Sequence, residues 1–357
     1  MKILDRYIIK KFLVAFFFTF ILFVAITIIW DIAEKMDDYI ESEATVSQIA
    51  FYYLSFIPYI GILLSPLFIF IAVVFFTSRM ASNSELIAIL SGGVNFYRLI
   101  VPYFIAATFL ASLLFYANHY VFPIANKNRI VFENTYLKIP YRNRDYHIHM
   151  QISPDSYVYL ERYNSGLDEG YKFTLEKIIE GELVEKLRAE RIRWDSAGKQ
   201  WQIKNYYSRT IHEGYEAIRE GQQLDTTLNF TPEDFGKKIE SVETMITPRL
   251  VEFIRKEKTR GSDKISFYKV KLFERTSSPF STFILTLIGL ALASRKPQGG
   301  IGMNIAFGFL IAFSYIFFMK FSMTFSINSS FPPILGAWTP NILFSILGFV
   351  LLRYAPK

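Results

Sequence analysis

Cysteine is absent from the 357-residue sequence, and only four histidines are present. The lack of cysteine excludes a disulfide framework and a cysteine-ligated zinc site, although it does not identify a cellular compartment. The sequence also has no phosphate-binding loop of the form G-x-x-x-x-G-K-[ST]. The chain therefore carries no sign that it hydrolyses a nucleotide itself.

Charged side chains are missing from several long stretches. Phe12–Trp30 is a run of 19 uncharged residues, which is long enough to cross a bilayer. It follows a basic start but is too long for a signal peptide and has no small-residue cleavage site after it, so we expect it to be retained. Apolar residues make up 52% of the chain, as in a polytopic membrane protein with a soluble part. We predict six transmembrane helices: Phe12–Trp30, Phe51–Phe76, Phe96–Phe122, Thr276–Ser294, Ile301–Met319 and Ile334–Leu352.

Between the third and fourth predicted spans the sequence changes character. Charged residues become frequent, and short segments rich in aromatic and β-branched residues are separated by turns such as Asp195–Gly198. This pattern predicts an all-β extracytoplasmic domain, a sandwich or jelly roll. We therefore divide the chain into spans one to three (1–123), a β-jelly-roll domain (124–270) and spans four to six (271–357). The predicted strands are Tyr157–Tyr163, Tyr171–Ile179, Leu183–Trp194 and Gln200–Ile211.

A short stretch between spans two and three has the pattern of a capped helix. Ser82 followed by Glu85 matches a capping box, and Gly92 supplies a stop, which predicts a helix over 82–92. Such a helix is too short to span a bilayer. We interpret it as a coupling helix, held by a protein outside the membrane. Its apolar face would consist of Leu86, Ile89 and Leu90.

Basic residues are concentrated on one side of the predicted membrane layout. Short loops and termini on that side contain ten basic residues and only two acidic ones, Asp5 and Glu85. By the positive-inside rule both termini, the short helix and the 295–300 turn are predicted to be cytoplasmic, and the β domain lies outside. The net charge of +7 is thus a topology signal and not a nucleic-acid footprint. The basic residues are Lys2, Arg6, Lys10, Lys11, Arg79, Arg98, Arg295, Lys296, Arg353 and Lys357.

Three segments together resemble one known family. Leu4–Ile8 (Leu-Asp-Arg-Tyr-Ile), Ser84–Leu86 with Ser91-Gly92, and Phe331–Ala337 (Phe-Pro-Pro-Ile-Leu-Gly-Ala) resemble the lipopolysaccharide-transport permeases LptF and LptG. The order of three spans, a β domain and three spans is also similar, and the first and last segments are closer to LptG. The resemblance covers nearly the whole chain.

The resemblance implies a transmembrane permease subunit of an ABC exporter in the bacterial inner membrane. Two permeases, paired with a paralogue or a second copy, would bind a dimer of cytoplasmic ATPases. Lipopolysaccharide would be extracted from the membrane and passed to a periplasmic jelly-roll bridge protein. ATP and Mg²⁺ would act in the partner ATPase, so we expect no cofactor, metal site or catalytic residue in this chain.

The candidate site residues form two sets. The resemblance places a glutamate at the ATPase contact, so Ser84, Glu85, Leu86, Ile89 and Leu90 are predicted to couple to the ATPase. Five cations near the outer membrane face are either snorkelling anchors or ligands of lipid phosphates. The family's LptG members often place a lysine near the top of span one, where this chain has Trp30 or Asp31. The five cations are Lys127, Arg129, Arg275, Lys320 and Lys35.

Two other functions remain open for this chain. One alternative is a signalling or scaffold subunit that couples an ATPase to the outer domain without moving lipid. The other is an intramembrane hydrolase, which the isolated Asp31, His119 and Lys320 do not favour.

We expect the β domain to shelter lipid tails and to extend through a sheet edge into a partner. The expected alternation sets Tyr157, Tyr159 and Glu161 against Val158, Leu160 and Arg162.

Overall fold

The computed structural model of the chain divides into two compact units. One contains residues 1–132 and 269–357, and the other contains residues 133–268. They are described separately below, and the predicted domain limits at 124 and 270 stay predictions. The structure describes residues 3–137, 146–164, 166–212, 214–232, 242–259, 261–262, 264–294 and 301–354, so the predicted 295–300 turn lies outside the described residues.

Long apolar helices build the first unit, as the uncharged runs predict. Seven of the described helices are long and apolar enough to cross a membrane. The helices are numbered in chain order, and α8 belongs to the second unit. Those of the first unit are α1 (Ile3–Glu34), α2 (Met36–Glu41), α3 (Val46–Leu63), α4 (Ser65–Ser82), α5 (Glu85–Ser91), α6 (Phe96–Tyr116), a π-helical turn (Ala117–Val121), α7 (Phe122–Tyr136), α9 (Ile265–Ala293), α10 (Ile301–Asn328) and α11 (Pro333–Arg353).

The second predicted span consists of two helices, which explains why seven candidate helices replace the six expected. Helix α3 ends at Leu63 and α4 begins at Ser65, with Leu64 between them at φ −100° and ψ 5°. Pro66 occupies the first turn of α4, where its missing N–H costs nothing but prevents a continuous helix. The predicted span Phe51–Phe76 is therefore broken at Leu64.

Helix α10 is longer than predicted, and α11 is not interrupted. The fifth span was predicted to end at Met319, but α10 continues to Asn328, and α11 runs through Pro340. The serine hydroxyls are satisfied within the helix pair, because Ser322 donates to the carbonyl of Gly336 at 2.8 Å. A Cβ atom on Gly336 would lie 2.4 Å from Ser326 Cβ. Glycine is thus required for the close approach of α10 and α11.

Helix α4 is the centre of the first unit. On one side Phe68 packs with Ile8 and Phe12 of α1 and with Tyr103 of α6, and all four are fully buried. On the other side α4 packs against α9 and α10. Many other apolar residues of α1, α10 and α11 are exposed on the surface of the unit, as expected for helices that face lipid.

Polar contacts fix α9, α10 and α11 against one another. The Tyr315 hydroxyl donates to Asn341 Oδ1 at 2.8 Å, and Asn341 Nδ2 donates to the carbonyl of Ser277 at 2.8 Å. Tyr315, Asn341 and Ser277 are all buried. Each of the three residues belongs to a different helix, so the contacts connect all three helices.

The second unit contains a six-stranded antiparallel sheet with strands in sequential order. All four predicted strands are present, and α8 (Thr247–Thr259) follows the sheet. The β domain is thus confirmed, but the Greek-key connections of a jelly roll are not seen among the described strands, which form a meander. The strands are β1 (Tyr146–Ser153), β2 (Ser156–Asn164), β3 (Glu169–Ile179), β4 (Glu182–Asp195), β5 (Gln200–His212) and β6 (Tyr215–Thr226).

One face of the sheet carries the core of the second unit. Val158 and Leu160 of β2 are buried there with Trp201, and Phe230 packs over them from beyond β6. The indole Nε1 of Trp201 donates to the Phe230 carbonyl at 2.9 Å. The apolar face is therefore covered by the chain's own residues.

The predicted alternation holds to Leu160 and then reverses. Arg162 was expected on the buried face, but it is exposed, and Tyr163 is buried instead. At this level of the sheet Lys172 of β3 and Asn205 of β5 have left-handed backbone, at φ 51° and φ 50°. Glu161 and Glu190 contact them through their side chains, and we call these four residues, which lie between regularly paired positions of the strands, the kink row.

Side-chain contacts hold the kink row together. Lys172 Nζ lies 2.5 Å from Glu161 Oε2, and this hydrogen bond raises the pKa of Lys172. Asn205 Nδ2 donates to Glu190 Oε2 at 2.7 Å. Left-handed backbone is costly for a lysine and tolerable for an asparagine, so these contacts accompany a strained part of the sheet.

Candidate functional site

The short helix α5 begins later than predicted, and the capping box is wrong. Ser82 is the last residue of α4, and Ser84 forms a left-handed turn at φ 62° with no side-chain cap on the helix. Glu85 instead accepts hydrogen bonds from the Tyr7 hydroxyl at 2.8 Å and from Asn83 Nδ2 at 3.3 Å. The carboxylate thus connects the start of α5 to α1.

The apolar face expected to dock on a partner is occupied by the chain itself. Leu86 is 1% exposed within the core formed by α1, α4 and α6, and Ile89 and Leu90 pack against the same core. This apolar face therefore packs against the chain's own helices, and the coupling role of the helix stays a prediction. Ile87 is the large apolar residue that α5 exposes, at 49%.

A buried carboxylate holds α1 against α6 beside the short helix. Arg98 Nη2 donates to Asp5 Oδ2 at 2.8 Å, and the Asp5 side chain is only 7% exposed. Sequence reasoning counted both residues as loop charges and missed the pair. A signal was present, because Asp5 is the only acidic residue among the basic ones of the first eleven positions.

Lys35 lies in a network at the far end of α1. Its Nζ atom is 2.8 Å from Asp31 Oδ1 and donates to the Tyr52 hydroxyl at 2.7 Å. The other Asp31 oxygen accepts from the Tyr53 hydroxyl at 2.9 Å. Asp31 therefore neutralises the predicted lipid ligand Lys35.

Arg129 and Lys127 of α7 have different surroundings. The Arg129 guanidinium lies 4.3 Å from the ring centroid of Tyr59 and donates twice to Asn126 Oδ1, at 3.1 and 3.0 Å. Lys127 is exposed, and it forms no ion pair with any described residue. Lys127 is thus the more accessible of the two cations.

Arg275 and Lys320 lie near a carboxylate that sequence reasoning missed. Glu274 of α9 accepts from Lys320 Nζ at 3.1 Å, and Lys271 Nζ lies 3.4 Å from its other oxygen. Arg275 is buried, whereas the Lys320 side chain is 48% exposed despite its partner. The five cations therefore have different local surroundings, and their role as ligands of lipid phosphates stays a prediction.

The chain was compared with known proteins. The family described as lipopolysaccharide export system permease LptF/LptG matches residues 6–354. The chain belongs to the LptF/LptG family. A comparison with curated proteins gives no match. The family match does not separate LptF from LptG.

Membership confirms the main functional expectation in its coarser form. An LptF/LptG chain is a lipopolysaccharide export permease subunit, a transporter component and not an enzyme. Its apolar helices make it a multi-pass protein of the inner membrane. The LptF/LptG match extends over both units, so the helices and the sheet belong to one permease.

We expect the Asp5–Arg98 pair to be needed for a stable helical unit of this LptF/LptG chain. Replacing Asp5 with alanine removes the carboxylate that Arg98 contacts, and replacing Arg98 with glutamine removes a charged donor from the buried Asp5 carboxylate. Thermal unfolding of each detergent-solubilised variant should begin at a lower temperature than that of wild type. Arg6→Gln is the matched control, because Arg6 is exposed and forms no ion pair with a described residue. Equal unfolding temperatures for Arg98→Gln and Arg6→Gln would contradict the assignment.

Proposed function

We propose that this chain is the membrane subunit of an ABC exporter and that α5 transmits the movement of a cytoplasmic ATPase. The observation that carries this proposal is the attachment of α5 to the helical unit. Leu86 is buried in the core of α1, α4 and α6, and Glu85 is hydrogen-bonded to Tyr7 of α1. A force applied to the exposed side of α5 would therefore act on three long helices.

The contacts at the two ends of α1 support the predicted orientation. At one end Asp5 and Tyr7 meet Arg98 and Glu85, so the basic N-terminus, the α4–α5 turn and the start of α6 lie together. At the other end Lys35 contacts the start of α3. The first end is cytoplasmic by the positive-inside rule, and the β domain that follows α7 is periplasmic.

ATP and Mg²⁺ are proposed to act in the partner ATPase, which agrees with the lack of a phosphate-binding loop in this sequence. The ATPase must favour one arrangement of the permease over another by a few kcal/mol, about 5.5 kcal/mol for a near-complete shift. The break at Leu64 and the left-handed turn at Ser84 flank α4, the central helix. These are two positions at which α4 can move relative to its neighbours.

We expect Ile87→Asp to weaken co-purification of the ATPase subunit by tenfold or more. The change places a charge on the exposed apolar side of α5 without touching the core. Ile179→Asp, at a 41% exposed isoleucine of β3, is the matched control and should leave association unchanged. Wild-type association of the Ile87 variant would refute the docking assignment.

Two roles of Glu85, the proposed contact with the ATPase and the bond to Tyr7 of α1, can be separated in the same assay. Glu85→Ala removes any direct ATPase contact and also the bond to Tyr7, whereas Tyr7→Phe removes only that bond. Weakened association in the first variant alone indicates a direct contact of Glu85 with the ATPase.

Lipid phosphates are proposed to bind the exposed cations Lys127 and Lys320. Both side chains are exposed, in contrast to Arg275, which is buried, and Lys35, which is paired to Asp31. A phosphate would form charge-assisted hydrogen bonds with the ammonium groups. It would compete with Glu274 for Lys320.

We expect the double variant Lys127→Gln with Lys320→Gln to reduce crosslinking of lipopolysaccharide to the permease. A photoreactive residue in the first unit would report the crosslink, and ATPase association should remain normal. Lys10→Gln with Lys11→Gln is the control, because both lysines are exposed and lie at the predicted cytoplasmic end of α1. Unchanged crosslinking would identify Lys127 and Lys320 as membrane anchors.

The β domain is proposed to pass the lipid to a periplasmic bridge through strand β6. Strands β1 and β6 are the two edges of the described sheet, and an open edge accepts a further strand. β6 has 12 residues, and its Tyr215 and Ile218 are 64% and 54% exposed. Lipid tails can use the apolar face only by displacing residues such as Phe230, which cover it.

A single cysteine at Ile218 should crosslink to the bridge protein with a bifunctional thiol reagent. The natural chain has no cysteine, so every adduct reports the introduced position. Leu167→Cys, 55% exposed in the turn between β2 and β3, should give no adduct. Adducts from Ser153→Cys in β1 with none from Ile218→Cys would contradict the choice of β6.

A scaffold subunit that moves no lipid is the competing function. It predicts that the purified complex with its ATPase contains no bound lipopolysaccharide. Bound lipid that is released when ATP is added supports the exporter.

A further inference from the structure

The face of the sheet opposite the core carries a cavity of about 740 Å³. Strand pairing places five of its lining side chains in one row across β1 to β5. Because directly paired residues share a face, all five point away from the buried Val158 and Leu160. The row is His149, Tyr159, Thr174, Arg188 and Tyr207.

The kink row forms one border of this cavity. Lys172, Glu190 and Asn205 all line it, and two of them have the left-handed backbone described above. Strained backbone of this kind is concentrated at binding sites, where the surrounding structure maintains it. The cavity thus lies where the sheet departs from regular geometry.

The basic side chains that line the cavity differ in whether an acidic residue is paired with them. Lys186 donates to Glu176 at 2.5 Å, and Lys172 is paired with Glu161. Arg188 is exposed and forms no ion pair or hydrogen bond with any described residue. Its partners across the strands are Thr174 and Tyr207, neither of which is acidic. The Arg188 guanidinium is therefore free to bind an anion, and its planar fork suits phosphate or carboxylate oxygens.

Tyrosines stand on both sides of Arg188. Tyr159 is in β2 and Tyr207 in β5, three strand spacings or about 14 Å apart. Tyr159 also packs on His149, with ring centroids 4.8 Å apart. Tyrosine presents an apolar ring and a hydroxyl, which suits the C–H faces and hydroxyl groups of sugar rings.

We propose that this cavity binds an anionic saccharide, with Arg188 holding its phosphate or carboxylate group and Tyr159 and Tyr207 stacking on its sugar rings. The inference rests on the proposed function, in which the transported lipid carries sugars. It assigns the saccharide portion to the polar face of the sheet.

Binding is measured by calorimetry with the full chain in lipid nanodiscs, without ATPase. The probe is the lipid-free phosphorylated oligosaccharide released from lipopolysaccharide, before and after phosphatase treatment. Wild-type protein should bind the phosphorylated probe, and Arg188→Gln should weaken binding about tenfold because a charge-assisted contact is lost. Arg193→Gln, at an exposed arginine outside the cavity, should have no effect.

The treated probe distinguishes the two anions. If phosphate is the ligand, removing it should weaken binding and abolish the effect of Arg188→Gln. A treated probe that still depends on Arg188 supports the same site with a sugar carboxylate.

A second pair of variants tests the sugar contacts. Tyr207→Ala should weaken binding, whereas Tyr215→Ala, at an exposed tyrosine outside the cavity, should not. Asn205→Gly retains the left-handed conformation and should keep the binding site. Inorganic phosphate that competes as strongly as the oligosaccharide would overturn the saccharide assignment.

The proposal also fails if wild-type protein does not bind the probe or if Arg188→Gln binds it normally. This result is independent of ATPase coupling, since the assay contains no ATPase and Ile87→Asp should bind the probe like wild type. Failure of the exporter function would appear instead as loss of ATP-dependent lipid release.

Discussion

The contact between the buried Asp5 carboxylate and the partly exposed Arg98 constrains how the helices of the first unit are placed. Helix α1 is apolar on nearly every side, and dispersion forces alone give such a helix little preference for one rotation or depth. The carboxylate of Asp5 cannot leave its position without losing its charged partner, so it fixes α1 against α6. Once α1 is placed, the Tyr7 hydroxyl reaches Glu85, and α5 is fixed as well.

The central position of α4 joins the two sequence halves of the permease. Phe68 faces the helices that precede the β domain, whereas Phe70 and Val74 face those that follow it. We expect a displacement of α5 to act on α4 directly and to reach α9 and α10 through packed side chains. Close-packed interfaces of this kind change between discrete arrangements and do not deform continuously.

The sequence predicts the helices and strands because their signals are local. Uncharged runs and aromatic, β-branched segments each report on a few adjacent residues. The capping box failed because Ser82 followed by Glu85 has the same spacing whether the serine begins a helix or ends one. Contacts between distant residues, such as Tyr7 with Glu85, leave no local pattern.

The cation site and the sheet surface illustrate the same limit. Lys35 is a cation near the predicted outer membrane face, as a ligand of lipid phosphates would be. Only the folded chain shows that Asp31 neutralises it. Nothing in the local sequence of β3 indicates that Lys172 is left-handed, so the reversal after Leu160 could not be predicted.

The polar bonds among Tyr315, Asn341 and Ser277 have a consequence for how the helices pair. Apolar residues of α10 and α11 can exchange for one another at little cost, whereas these few polar atoms determine which faces meet, so the specificity of helix pairing resides in a small part of the surface.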